Sequence, residues 1–303
     1  MPLGQNHDIL EPLISVVIPT CNRNDLLAQC VDQLAPAKQT LLPDRYEVIV
    51  TDDGNSDTTE QMLRERYPWV RYTKGPRRGP AANRNNGAKC ARGQWIAFTD
   101  DDCVPRAAWL KAYSDAIIAG IEVYEGRTTC VAGLHSPLDY APINLTGGWL
   151  WSCNMMIGQR IFRELGGFSE AYEFAHMEDL DLRERIKDAK YQFQFVQAAE
   201  VDHPPRRMSL FRKIAPVHEC EVIYSLRRGR KPNVLHMVCE TSKARLRTVF
   251  RFPLSLDSAV FLCSAMLELG LMVTQFNRWK VRGERLVQEA HSAATPRSAS
   301  TPA

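Results

Sequence analysis

Three consecutive carboxylates, Asp100, Asp101 and Asp102, follow the apolar run Trp95-Ile96-Ala97-Phe98-Thr99 without a break. Adjacent anions repel one another, so holding all three at the end of a buried segment calls for a cation. A divalent metal carrying an oxygen-rich ligand such as a diphosphate is the natural counter-charge, because hard cations take oxygen ligands. The competing reading is a solvated turn capping a helix near Arg106, a role in which Asp is favoured. A second acidic group, Asp52-Asp53, closes the run Tyr46-Glu47-Val48-Ile49-Val50-Thr51, and a third, Glu178-Asp179-Leu180-Asp181, opens a helical stretch. Acids in a first turn are favoured by the helix dipole on their own account. In a cleft beside another acidic site, such a carboxylate is also placed to act as a general base. His203, just after Val201-Asp202, offers an imidazole for a metal, with a purely structural role as the alternative. The basic stretch Gly75-Pro76-Arg77-Arg78-Gly79, before a helix bearing Arg84, suits a phosphate. It lacks G-x-x-x-x-G-K-[ST], which excludes a Walker-type loop.

Periodic segments account for how these groups are carried. Ile14-Ser15-Val16-Val17-Ile18 is a β-branched run stopped by Pro19 and reads as a buried first strand. Leu26, Leu27, Cys30, Val31 and Leu34 recur at helical spacing behind a cap at Asn22 or Asn24. A strand over Tyr46–Val50, a helix over Thr58–Arg66, a strand at Trp69–Tyr72 and a helix over Pro80–Ala91 follow, then the strand that delivers the aspartates. Strands alternating with helices, with carboxylates at the strand ends, describe an open α/β sheet that binds ligands at the carboxyl ends of its strands. Further on come a helix over Arg106–Ala119, strand material in Glu122–Leu134, and the aromatic stretch Gly147-Gly148-Trp149-Leu150-Trp151. The two tryptophans are either a sugar-stacking platform or simply core. A helix over Arg160–Leu165 and a strand over Tyr191–Val196 complete this part.

The chain has 303 residues, 45% hydrophobic and 24% charged, as an ordinary globular protein has. Its net charge of +3 is unevenly spread: residues 204–251 hold twelve Lys/Arg and three Asp/Glu, leaving the remainder acidic. Such a block suits phosphates or an anionic membrane surface. Helices are expected over Leu210–Leu226 and Asn233–Arg251. Ala259–Phe276 is apolar apart from Glu268 and Gln275, borderline for spanning a bilayer and suited to lying in its surface. The expected division is a catalytic domain at 1–205 in two halves (about 12–104 and about 105–205), a basic and apolar helical extension at 206–287, and a disordered tail at 288–303. The nine cysteines are odd in number and form no C-x-x-C pair, which points to reduced thiols and no zinc site. Met1–Glu11 lacks a signal-peptide pattern, so the expected location is cytoplasmic, peripheral on the inner face of the cell membrane.

Taken together the segments resemble the family 2 glycosyltransferases of GT-A fold. Val17-Ile18-Pro19-Thr20-Cys21-Asn22-Arg23 is similar to that family's opening. Val50-Thr51-Asp52-Asp53-Gly54-Asn55-Ser56-Asp57, Asn83-Arg84-Asn85-Asn86-Gly87, Phe98-Thr99-Asp100-Asp101-Asp102, Asn154 through Phe168, and Glu178-Asp179-Leu180-Asp181-Leu182 resemble its later segments, in the right order. The resemblance implies a Rossmann-like, mixed, mainly parallel sheet flanked by helices, with the helical C-terminal extension outside it. It implies that Thr20, Asn22, Arg23, Asp52, Asp53, Arg84, Asp100 and Asp101 hold a nucleotide-sugar donor. Asp100 and Asp102, with His203 nearby, would bind Mg²⁺ or Mn²⁺. Asp179 would be the general base of an inverting transfer, with Glu178 second, and Trp149, Trp151 and Asn154 would border a glycan or lipid-linked acceptor. No nucleic-acid partner is expected. Cys21 departs from the aromatic residue often found there, which leaves the donor base open. Two other readings fit parts of the chain: a haloacid-dehalogenase-like phosphatase, through Asp100-Asp101-Asp102-Cys103-Val104, and a non-catalytic transferase-like binding domain.

Overall fold

The computed structural model describes residues 13–208 and 214–294. The segment Met1–Glu11 and the end of the expected tail lie outside the described residues. In chain order the elements are β1 (Ile14–Thr20), α1 (Asn24–Gln33), β2 (Tyr46–Asp52), α2 (Thr58–Arg66), β3 (Arg71–Lys74), α3 (Pro80–Lys89), β4 (Trp95–Thr99), β5 (Val104–Pro105), α4 (Trp109–Ala116), β6 (Val123–Thr129), β7 (Asp139–Tyr140), β8 (Asn154–Gly158), α5 (Gln159–Glu164), α6 (Glu178–Asp188), β9 (Phe193–Asp202), β10 (Arg206–Arg207), α7 (Ile214–Arg227), α8 (Val234–Arg251) and α9 (Leu256–Ala294). The chain forms two compact units.

The first unit comprises Met1–Gly133 and Ala141–Pro205. Its eight-stranded sheet has the order β3-β2-β1-β4-β8-β6-β9-β5. β1 pairs in parallel with β2 and β4, and β2 with β3, so the ends bearing Thr20, Asp52 and Thr99 share one edge. β8 runs antiparallel to both β4 and β6, which makes the sheet mixed. Both faces are covered. Val16, Ile18, Val48 and Val50 join Leu27, Cys30, Val31 and Leu34 in one core, while Val17, Ile49, Ile96 and Phe98 join Ala81 and Ala88 in another. This two-sided burial is why the parallel strands read as continuous apolar runs. Gly87 lets α3 lie close on the sheet: a Cβ there would stand 2.6 Å from Val17 Cγ1.

Several expected boundaries move. β1 runs through Pro19 to Thr20, because β4 pairs only with Ile14–Val17 and Pro19 has a neighbour on one flank alone. β3 lies at Arg71–Lys74 instead of Trp69–Tyr72; Trp69 and Val70 instead pack against the core from the preceding turn. β9 extends to Asp202, and so carries His203 at its end.

The second unit comprises Leu134–Tyr140 and Arg206–Ala303. β7 and β10 form a two-stranded sheet, and α7, α8 and α9 pack together. α9 is far longer than the expected apolar segment, 39 residues, and passes through 288–294, which the sequence assigned to a tail. Val222 on α7 packs with Met272 and Trp279 on α9, and Val249 on α8 with Phe261. A buried ionic cluster crosses the three helices. Glu268 accepts from Arg245 at 2.7 and 2.6 Å and meets His218 Nε2 at 2.8 Å, while His218 Nδ1 meets Glu221 at 2.7 Å.

Candidate active site

Strand β4 delivers the three aspartates to three different environments. Asp101 is fully buried. It accepts from Thr20 Oγ1 at 2.7 Å and from Arg23 Nε at 3.0 Å, with a second close ion pair to the same guanidinium. Burial pushes its carboxyl up to about 7, against the pull of Arg23 and with a further push from Asp102. Asp101 thus knits the end of β1 to the end of β4 and does not face an open cleft. Asp102 accepts from Arg23 Nη1 at 3.1 Å and lies 3.5 Å from His203 Nε2. His203 Nδ1 lies 3.0 Å from the Pro204 carbonyl, which can only accept. That contact makes Nδ1 a donor and leaves Nε2 facing Asp102, with the second ring nitrogen held as in a metal-ligating imidazole.

The ligand atoms of Asp102, His203 and Cys103 lie within 4.8 Å of one another. Burial pushes the Cys103 thiol well above its usual range, so it stays protonated beside the site. A carboxylate and an imidazole fit Mg²⁺ or Mn²⁺, with the remaining positions left to diphosphate and water oxygens. Asp100 is not part of this cluster, contrary to the expected metal pair. Its Oδ1 takes Arg84 Nη2 at 2.6 Å.

Arg84 is buried, and its other nitrogen, Nη1, reaches Glu178 Oε1 at 3.1 Å. It therefore bridges the aspartate triplet to the start of α6 and does not project into the cleft as a donor-binding side chain. Its neighbours on α3 are staples. Asn83 donates to the Thr20 and Thr51 carbonyls at 3.2 and 2.9 Å and accepts from Thr51 Oγ1. Asn85 exchanges two bonds with the Phe168 backbone.

At the end of β2, Asp52 Oδ1 accepts from Gly54 N at 2.7 Å, while its Oδ2 is buried with no partner among the described residues. Asp53 accepts from Arg77 N at 2.9 Å, and burial raises its carboxyl. Asn22 is exposed at φ 55°, and it lines, with Arg23, Asn24, Asp25, Leu26, Ser56 and Thr58, a cavity of about 450 Å³. In the basic loop Arg78 pairs with Glu170 at 2.8 Å.

Helix α6 begins after Met177, which holds φ 72° without being glycine. Glu178 is buried on Arg84, whereas Asp179 is the more accessible of the two. Burial raises both carboxyls above the usual range, Glu178 further through the adjacent Asp179 charge. Asp181 is structural, accepting from Tyr172 and Arg185.

Trp149 and Trp151 have ring centroids 5.4 Å apart at 32°, with Trp149 49% exposed and Trp151 against the core. Asn154, expected at the acceptor, lies in the core. It is buried, accepts from Trp109 Nε1 and Tyr113 Oη at 2.8 Å each, and donates to the Arg127 and Ala199 carbonyls. The residue the sequence reading missed is Glu125 on β6. Only 1% exposed, its carboxylate accepts from Asn144 Nδ2 and from the backbone N–H groups of Gly148, Trp149 and Leu150. Gly147, Gly148 and Leu150 hold φ of 86°, 100° and 53°, which turns successive N–H groups inward onto this one acceptor. A lone acid inside Val123-Tyr124-Glu125-Gly126 was the available signal.

Residues 15–124 match the sequence model described as glycosyl transferase family 2. This stretch is a family 2 glycosyltransferase domain. Validoxylamine A glucosyltransferase of Streptomyces hygroscopicus subsp. limoneus is 27% identical over 230 residues, 61% of this chain and 49% of that protein. The chain spans about half the length, or less, of the curated relatives it matches. Among solved structures, S. aureus TarS 1–349 aligns with a TM-score of 0.56 at 16% identity, covering 93% of this chain and 92% of that one. GalNAc-T7 with UDP, GalNAc and Mn²⁺ aligns with a TM-score of 0.55 at 19% identity, covering 71% and 48%. The fold of this glycosyltransferase domain is GT-A.

Proposed function

We propose that this chain transfers a glycosyl unit from a nucleotide-sugar donor to a hydroxyl acceptor with inversion at the anomeric carbon. The observation carrying this reading is the buried Arg84 bridge, which ties the aspartates at the parallel strand ends to the carboxylates opening α6. Asp102 and His203 would hold Mg²⁺ or Mn²⁺ on the donor diphosphate. When bound, that ion neutralises the charge developing on the leaving nucleoside diphosphate. Asp52, Asp53, Asn22 and the adjoining cavity would take the nucleoside. Asp179 accepts the proton of the acceptor hydroxyl as its oxygen bonds to the anomeric carbon. The bond from that carbon to the diphosphate oxygen breaks, and its electron pair leaves with the nucleotide. A carboxyl raised by burial is a stronger base for this step than a solvated one. Glu178, buried on Arg84, orients the helix start. Trp149 offers an exposed ring face to a glycan or lipid-linked acceptor in cell-surface polysaccharide, glycolipid or cell-wall synthesis.

α9 includes a stretch long and apolar enough to cross a membrane. We read the second unit as holding the enzyme on the cytoplasmic face of an anionic membrane. The test of the transfer reading is calorimetry and turnover with UDP-, GDP- and dTDP-sugars in the presence of Mn²⁺. Metal-dependent binding of one donor class is expected, and binding of none would overturn it. Phosphate release from a phosphomonoester panel would favour the phosphatase instead.

A further inference from the structure

Helix α9 is apolar on its outward face as well as its inward one over its first five turns, where Phe261, Ala265 and Met272 are buried. Of the two acids between Leu256 and Phe276, Glu268 is buried on Arg245 and His218, and the half-buried Asp257 pairs with Arg207 and Ser136. The outward face over 259–273 carries Ala259, Leu262, Met266, Leu267, Gly270 and Val273, with no charge among them. In water the outward face of a surface helix is usually polar. A charged group paired inside the bundle, as Glu268 is, under an apolar outer surface is the arrangement lipid imposes. The turn into this helix continues the surface: Phe250 is 85% exposed, Leu254 87% and Leu256 81%. Arg247 and Arg251 stand exposed beside the turn, and Arg278 at the far end of the stripe. The exposed acid Glu240 on α8 is neutralised by Lys243 at 2.8 Å.

We infer that this face is a docking surface for an anionic bilayer. Phe250, Leu254 and Leu256 enter the boundary between headgroups and acyl chains, and Arg247, Arg251 and Arg278 meet lipid phosphates. The helix lies along the surface and does not cross it. α8, packed beside it, exposes Glu240, Lys243 and Arg247, which hydrocarbon on all sides would strand. The basic rim favours anionic lipid over a second copy of the chain, whose identical rim would repel it. The inference deepens the membrane attachment proposed above, and its test needs no enzymatic turnover, so it fails or stands separately from the transfer reading.

The test is co-flotation of the full chain with phosphatidylglycerol-containing vesicles and with phosphatidylcholine vesicles. Binding is expected to the former and to be weakened by salt. The variant Phe250→Ser/Leu254→Ser/Leu256→Ser removes only exposed side chains and should lower partitioning at least about a hundredfold, from the apolar burial lost. Arg247→Ser/Arg251→Ser should lower it about tenfold or more on anionic vesicles, since each surface cation contributes roughly a factor of five. Equal binding by the apolar variant, or no binding by the wild-type chain, would overturn the inference. So would a concentration-dependent dimer dissolved by the same serines without lipid, which would assign the face to a second copy. Unchanged far-ultraviolet circular dichroism of each variant establishes that the fold is intact.

Discussion

Replacing Glu125 by Gln tests how the tryptophan loop is held. The carboxylate accepts four N–H donors, and among the described residues no cation pairs with it. Its charge therefore rests on those hydrogen bonds alone. A glutamine keeps at best the three bonds on Oε2, from Asn144, Trp149 and Leu150, and turns an amide NH₂ toward the N–H of Gly148. One charge-assisted bond, about 1.5–3 kcal/mol, is lost, and a buried N–H is left without an acceptor at about 1–3 kcal/mol. Together about 2.5–6 kcal/mol, this is enough to release a loop whose backbone sits at three positive φ values. Trp149 should then leave Trp151. The expected outcome is a reduced near-ultraviolet tryptophan signal and an acceptor KM at least about tenfold higher, since 1.4 kcal/mol is one decade. Donor hydrolysis without acceptor should change little. A Glu125→Gln protein with unaltered near-ultraviolet dichroism and acceptor KM would refute the claim that this carboxylate builds the platform.

Other substitutions separate the remaining roles. Asp102→Asn should weaken Mn²⁺-dependent donor binding by about a hundredfold or more in calorimetry, removing the anionic charge of the ligand beside His203. Asp179→Asn should lower kcat about 10²–10⁴-fold while leaving the donor Kd unchanged in the same titration. Asn154→Ala should lower Tm through two orphaned donors and two orphaned carbonyls, with acceptor KM retained in the folded fraction, as expected of a core residue. Stability should also depend on pH through the ionic cluster. Burial lowers His218, but its bonds to Glu221 and Glu268 outweigh this and raise it to about 9. Burial raises Glu268, but Arg245 and His218 outweigh it and bring it to about 2. The His218 contribution is complete below its ordinary value of 6.5 and is lost as pH rises through about 9. That of Glu268 is complete above 4.5 and is lost as pH falls through about 2. Thermal unfolding across pH should show both arms, and His218→Gln should abolish the alkaline one; an arm that survives that change arises elsewhere.

The parts of this molecule legible from sequence are those in which one run of residues meets one environment. β1, β2 and β4 are buried on both faces, so their apolar runs declared themselves, and their parallel pairing placed Thr20, Asp52 and the aspartates on a shared edge. What stayed hidden depended on partners distant in the chain. Arg84 looked like a phosphate ligand because its two carboxylate partners lie 16 and 94 residues away. Asn154 looked like an acceptor contact because its four partners come from α4, β6 and β9. Glu125 looked like one acid in a strand because three of its four partners are backbone N–H groups, which no side-chain pattern marks. The length of α9 was masked by its change of composition after Phe276, where a polar surface replaces an apolar one without any break in the helix.

The Arg84 bridge also limits how this site can be re-engineered. One guanidinium balances a carboxylate from each side, so Asp100 and Glu178 do not respond to substitution as separate positions. Neutralising either one hands the full positive charge to the other, and neutralising both leaves a buried cation with neither of its hydrogen-bonded carboxylates. In a double-mutant cycle the two changes should therefore depart from additivity by more than the scatter seen for distant sites, about 0.5 kcal/mol. Attempts to alter donor or acceptor preference by changing one of these acids will carry the opposite half of the site along with them.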